Sequence, residues 1–435
     1  MGHRRDPRLR VPLPRRPRRP ARRGARAVRG ALPDRARRPD HRALPAPPGA
    51  RRRHLPARPG RTAPRPGRGP GRPARRPLLP RRGPRLPRRR HHGPRPGSRT
   101  RPLRTGLRLR PARRPGPGAA HVTTTPAVPE LTRAARLRPG DRIAVIAPSG
   151  PVPEERLRPG LDLLCGWGLE PVVAPHVLDA HPDLGHLAGA DAARARDLTE
   201  AYTDPAVAAV ICARGGYGAQ RMVDLVDWAA IRAAGPKPFV GYSDVTALHE
   251  AFAVRAGFAT LHGPMVATAA FLTEPRTRES LRATLFEPET VRAPGAATAR
   301  ALVPGRAAGV TLGGCASLLA ADLGTPHARP SARGGLLLLE DVGEEPYRLD
   351  RIFTQLLRSG WLDGVAGIVL GSWEECGPYE EVRALLADRF GGLGVPVLEG
   401  LGFGHDPAAP TVPLGVPAVL DADAGTLALD VPALV

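Results

Sequence analysis

Short apolar runs separated by amphipathic stretches dominate the chain from about residue 138 onward. RIAVIAP (142–148) is β-branched and ends in Pro-Ser-Gly, which predicts a buried strand running into a loop. PVVAP (171–175), VAAVICARGGYG (207–218), PFVGY (238–242) and ATLHGPMV (259–266) repeat the pattern and predict four more strands. Between them, PEERLRPGLDLLCGW (153–167, with Pro159 as a blemish), DAARARDLTEAYT (191–203), QRMVDLVDWAAI (220–231) and the stretch after Ser243 predict helices. Strands alternating with helices point to βαβ units and a mainly parallel sheet. Functional groups of such sheets gather in the loops after the strands. Here those loops read APSG, RGGYG, YSD and HGPM.

Residues 272–304 are rich in Pro, Arg and Ala, hold one short helix candidate (RTRESLRATLF), and are expected to cross between two domains. Beyond them come the strand GGLLLLEDV (334–342), the helix YRLDRIFTQLLRSG (347–360) and the strand VAGIVLGSW (365–373). Ile352, Phe353, Leu356 and Leu357 share one face of that helix, and Gly360 serves as its stop. The end of the chain is rich in strands and turns. The expected class is α/β: an N-terminal α/β domain (122–290) and a smaller β-rich C-terminal domain (291–435).

Composition changes the picture only at the front. Residues 1–121 hold 40 Arg, 26 Pro and 3 Asp, with no Lys, Glu, Ile, Phe, Tyr or Trp. The formal net charge of +26 for all 435 residues therefore belongs to this segment, and the remainder is net acidic. Without aromatic residues it cannot bury enough apolar area to offset the entropy of ordering, so disorder is expected. A nucleic-acid-binding arm is one reading, because arginines displace counterions from phosphates. The favoured reading is a misplaced start: Arg, Pro, Gly and Ala all have GC-rich codons, and Val122 fits a GTG start. No signal-peptide core and no bilayer-length apolar run is present. Cys165, Cys212, Cys315 and Cys376 lack metal-site spacing, so no metal or cofactor is expected and a reducing cytoplasm is.

The candidate chemistry begins at GYSDVTALHEAF (241–252). Ser243 and Asp244 read locally as a helix cap. A nucleophilic serine would need a base, a group orienting that base, and donors for an oxyanion. His249 lies six residues along the same helix, faces away from Ser243, and is expected at the surface. His262 closes a strand, and His405 sits in a glycine-rich loop where no packing explains it. Glu340, followed by Asp341, ends an apolar strand, a costly place for an unpaired carboxylate. The RGGYG loop offers free amides. Each taken alone has a plainer structural explanation.

The set is more specific than its members. RGGYGAQRMVDLVDW, PFVGYSDVTALH, TLHGPM, LLLLEDVGEEPYRLDRIFTQL and GFGHDPAAPTVPLG, in that order, resemble the LD-carboxypeptidase family of serine peptidases, over roughly 138–421. The resemblance implies a flavodoxin-like N-terminal domain, a β-rich C-terminal domain and a site assembled in the cleft between them. It implies Ser243 as nucleophile, Glu340 as orienting acid and His405 as general base, with the amides of Gly216 and Asp244 as oxyanion donors. It also implies a homodimer acting on a cytoplasmic murein tetrapeptide, releasing terminal D-Ala from its LD-amide bond during wall recycling. Arg214 offers a contact for a substrate carboxylate, with a surface ion pair as the equal alternative. Two positions depart from pattern: Cys315 stands where the family commonly has Asn, and Val245 where the G-x-S-x-G elbow has its second Gly. A microcin C self-immunity branch, acting on aminoacyl or peptidyl nucleotides, is the alternative. Trp373 and Tyr379 are its candidate base-stacking residues, with core packing the plainer role. Nucleic-acid binding through the arm is the alternative of another class.

Overall fold

Five apolar segments line up side by side: β1 (Arg142–Ile146), β2 (Glu170–Val173), β3 (Ala209–Cys212), β4 (Phe239–Gly241) and β5 (Thr260–His262). The computed structural model describes residues 127–295 and 297–435; the arginine-rich segment 1–121 lies outside them. The five strands are parallel in the order β2-β1-β3-β4-β5, the flavodoxin-like arrangement. Period-two alternation sends Ile143 and Val145 to one face and Ala144 and Ile146 to the other. On the first face lie α1 (Glu154–Gly166), α6 (Ala269–Thr273) and α7 (Pro275–Phe286), through Leu164, Phe271 and Leu281. The second face is covered by α2 (Asp191–Thr203), α3 (Ala219–Met222), α4 (Trp228–Ala234) and α5 (Thr246–Ala251).

The single helix expected over 220–231 is broken in two. A 3₁₀ turn at Val223–Leu225 ends the first piece, and the Asp227 carboxylate then caps α4 by accepting from the Ala230 amide at 2.9 Å. Two aspartates in that stretch favour such a cap over continuous helix.

The second sheet comprises β6 (Arg300–Val303), β7 (Arg306–Cys315), β8 (Gly335–Val342), β9 (Gly367–Glu374), β10 (Val397–Glu399), β12 (Pro417–Asp421) and β13 (Thr426–Leu429). β7 to β10 run parallel, β6 and β12 border them antiparallel, and β13 pairs antiparallel with β12 at the sheet edge. The run LLLL of β8 is buried on both sides, which is why it shows no polar alternation. One side meets α8 (Ala316–Ala321), α9 (Pro346–Arg358) and α10 (Tyr379–Phe390), with Phe353 and Phe390 at its centre. These three helices sit within a half read as rich in strands and turns. β11 (Val412–Leu414) leaves this half and pairs antiparallel with β5, Val412 opposite His262. The loop before β11 carries His405.

Among the described residues no helix is long and apolar enough to cross a membrane. Phe353 is fully buried and touches the rings of Trp373 and Phe390. Phe353→Ala is expected to destabilise the fold by about 3–5 kcal/mol, read as a lowered urea midpoint.

Candidate active site

Glu340 stands near the end of β8 with no solvent exposure. Beside it, β9 carries one extra residue: Leu339 pairs with Leu370 but Asp341 with Trp373, so Gly371 and Ser372 together oppose Glu340. This bulge prepares a seat for the 402–406 loop. A Cβ on Gly371 would lie 2.4 Å from the Phe403 carbonyl oxygen, so only glycine lets the loop settle there. The Ser372 hydroxyl then accepts from the amides of His405 (2.8 Å) and Asp406 (3.0 Å). Gly404 has φ +107°, and a Cβ there would fall 2.5 Å from Glu340 Oε2. These constraints bring His405 Nδ1 to donate to Glu340 Oε2 at 2.6 Å.

The other carboxylate oxygen, Oε1, faces His262 Nε2 at 3.7 Å, too long for a hydrogen bond, and neither atom has another partner among the described residues. His262 is itself buried, between the rings of Tyr242 and Phe403. Burial would push Glu340 up, but His405, with its charge and hydrogen bond, and the His262 ring overcome it and hold the carboxyl at about 2. For His405 burial pulls down, and the Glu340 charge and hydrogen bond outweigh it, leaving the imidazole above its ordinary 6.5.

Asp341, paired with Glu340 in the sequence, serves a different purpose, because alternation turns it to the opposite face of the sheet. It accepts from the amides of Ser317 (2.8 Å) and Val342 (2.9 Å) and from the Cys315 thiol (3.3 Å). Burial and the Glu340 charge raise Asp341 to about 6. The same burial and charges keep Cys315 a neutral thiol, and its amide donates to Thr246 Oγ1 at 3.0 Å, tying β7 to α5.

Ser243 follows β4 with φ +64°, a conformation that a non-glycine residue occupies at a cost. It is a strand-to-helix elbow, despite Val245 in place of the second glycine. A Cβ on Gly241 would be 2.7 Å from Val245 Cγ1, so the small residue and the bulky one are complementary. Neither Ser243 nor Asp244 caps the helix. The Asp244 carboxylate turns away and accepts from the Ala219 amide at 2.8 Å, which corrects the expectation of a helix-start role. His249 is likewise not at the surface. It is 1% exposed, its Nε2 donates to the Gly241 carbonyl at 3.0 Å, and burial drives it down to about 3. All six residues of α5 are buried, because helices and strands of the second half cover what would be its outer side.

The elbow meets the Glu340–His405 pair through Tyr242, whose ring lies edge-on to His405 at 4.9 Å. None of the described hydrogen bonds joins Ser243 to His405. On the other side, a Cβ on Gly215 would come within 3.2 Å of Ser243 Cβ, so the RGGYG loop lies against the elbow. Gly150 donates to the Gly215 carbonyl at 3.0 Å. Among the described hydrogen bonds, the amides of Gly216 and Asp244 have no internal acceptor. Arg214 donates to the Pro151 carbonyl at 2.6 Å and joins no ion pair among the described residues. Trp373 is buried against Phe353, while Tyr379 is 41% exposed with its hydroxyl on Glu399. No group of three His, Cys, Asp or Glu among the described residues is arranged to hold a metal ion.

Family models for the LD-carboxypeptidase N-terminal domain and C-terminal domain match residues 143–263 and 308–420. The chain belongs to the LD-carboxypeptidase family. A Streptomyces coelicolor chain, assigned in name only as a carboxypeptidase, is 70% identical over 305 residues, covering 70% of this chain and 98% of that one. The solved muramoyltetrapeptide carboxypeptidase of Oxalobacter formigenes is 31% identical, with a TM-score of 0.56 over 66% of this chain and 97% of that one. MccF, solved with glutamyl sulfamoyl guanosine, is 23% identical and shares the fold at a TM-score of 0.62, over 70% of this chain and 99% of that one.

Tyr242, Ser372 and His262 are the neighbours that sequence reasoning passed over or left at the margin. Only the position of His262 at the end of a strand hinted at its place; the bulge that recruits Ser372 leaves no mark in the sequence. The Glu340–His405 pair is fully charged between the ordinary values of 4.5 and 6.5. Its contribution to stability is expected to fade below that window as Glu340 takes up a proton, and above it as His405 loses one through its raised pKa. Thermal melts of the wild type and His405→Gln across pH 3–9 read this as a difference greatest within the window.

Proposed function

We propose that the protein is a serine carboxypeptidase hydrolysing the LD-amide bond that releases terminal D-Ala from a murein tetrapeptide, in the cytoplasm and as a homodimer. The observation that carries this reading is the buried Glu340–His405 pair, seated beside an elbow serine in a chain of the LD-carboxypeptidase family.

In the proposed mechanism, His405 Nε2 takes the Ser243 hydroxyl proton as Oγ attacks the carbonyl carbon of the scissile amide. Charged Glu340 keeps Nδ1 protonated and stabilises the imidazolium as it forms. The oxyanion receives the free amides of Gly216 and Asp244, which need no reorganisation when charge develops. His405 passes the proton to the departing D-Ala nitrogen, and the acyl-enzyme is then hydrolysed by water activated on the same imidazole. Tyr242, held neutral with its pKa near 12 by burial and by the Glu340 charge, covers the pair from one side.

Incubating the full chain with LD-tetrapeptide, DD-pentapeptide and an aminoacyl nucleotide in parallel tests the reading. D-Ala release from the first alone is expected, reduced at least about 10⁴-fold in Ser243→Ala. Full activity in Ser243→Ala would sink the mechanism, and turnover of the nucleotide alone would favour the microcin branch. Because His405 must be neutral to act, kcat/KM is expected to rise with pH through a value above 6.5. Glu340→Gln is expected to move that limb down and to lower kcat by about 10²–10⁴-fold.

A further inference from the structure

The sheet order reverses between β1 and β3, and a recess of about 490 Å³ opens there, at the carboxyl ends of the two strands. Gly150 and Pro151 line it from the loop after β1, His186 from the segment before α2, and Arg214, Gly216 and Tyr217 from the loop after β3. Among the described residues no carboxylate lines it. Arg214 is its charged group and is half-buried, with one hydrogen bond, to the Pro151 carbonyl, and no ion pair among the described residues. Arg194, nearby on α2, shows the alternative: its guanidinium is bound by Asp191 and the carbonyls of Pro148 and Gly218. A guanidinium carries five N–H donors, so most of those on Arg214 have no partner within the described structure.

The free donors are concentrated in one place. A Cβ on Gly216 would lie 3.9 Å from Arg214 Cζ, so the guanidinium borders the space next to the unpaired Gly216 amide. One residue earlier, Gly215 lies against Ser243. His186 and Tyr217 stand edge to face at 5.5 Å on the rim, with Tyr217 49% exposed.

We propose that this recess is the subsite for the terminal carboxylate of the substrate, with Arg214 as the residue that binds it. The inference rests on the proposed peptidase reading and gives it a reason to act only at chain ends. In a peptide the terminal carboxylate is three bonds from the scissile carbonyl carbon. A substrate whose carbonyl oxygen meets the Gly216 amide therefore carries that carboxylate into the neighbourhood of Arg214. The planar fork suits a carboxylate, and a partner without the charge leaves the donors unsatisfied. An amidated or extended peptide would thus lose a charge-assisted contact.

The test compares the LD-tetrapeptide with its C-terminal amide, for the wild type, Arg214→Gln and Arg214→Lys in the full chain. The wild type is expected to prefer the acid by about 10²-fold in kcat/KM, the size of a lost charged hydrogen bond. Arg214→Gln should bring that ratio close to one, mainly by raising KM for the acid, and Arg214→Lys should retain part of it. If Arg214→Gln slows both peptides equally, the residue only braces the Pro151 loop and the proposal is overturned. Calorimetric titration of N-acetyl-D-alanine into the Ser243→Ala protein reads the recess without turnover. Binding that weakens about tenfold or more on adding Arg214→Gln supports the subsite, and unchanged binding refutes it. Absence of tetrapeptide cleavage together with that weakening would remove the peptidase reading and leave the carboxylate site standing.

Discussion

A carboxylate with no access to water lies at the centre of this protein, and much of the second half of the fold is arranged around keeping it charged. Left alone at that depth Glu340 would hold a proton, because desolvation of an isolated ion costs several kcal/mol. His405 reverses the balance by donating at 2.6 Å, and the rings of His262, Tyr242 and Phe403 exclude water around the pair. The same contact works in the other direction: it makes His405 more basic and fixes which ring nitrogen carries the proton.

Meeting that requirement takes both sheets. β8 supplies the acid, the bulge in β9 supplies Gly371 and Ser372, and the loop before β11 supplies His405. β11 then crosses to the first sheet and pairs with β5, which anchors the His405 loop next to His262 and the elbow after β4. That one antiparallel pairing links the two halves at the site. α5 reinforces it: fully buried, it joins β7 through Thr246 and the Cys315 amide, and Glu250 forms a buried ion pair with Arg329 at 3.1 Å. A helix so enclosed has no solvent face, which is why His249, pointing away from Ser243, lies in the interior.

The strained conformation of Ser243 belongs to the same economy of space. Gly241 and Gly215 remove side chains on either side of it, and Val245 fills the volume that Gly241 leaves. The usual second glycine of such a turn is thus unnecessary where the close approach comes from the neighbouring RGGYG loop. In these two turns the amides of Gly216 and Asp244 have no acceptor among the described hydrogen bonds, Asp244 because it lies in the first turn of a helical segment, where N–H groups lack an intrahelical partner.

Much of the framework was legible in the residues alone. Apolar runs of β-branched residues marked the strands of the first sheet and the period of 3.6 marked α9, whereas Ser243, Glu340 and His405 each had a plainer structural reading alone and were singled out only by the resemblance of the whole motif set to a family. Local patterns carry that information because they report what each segment buries. They do not report what buries it. The carboxylate–imidazole contact spans 65 residues of sequence, the bulge that seats the loop arises from an offset between two strands, and the opposite fates of Glu340 and Asp341 depend on which face each sheet residue meets. Those are properties of packing between distant segments, and only the assembled tertiary structure decided them.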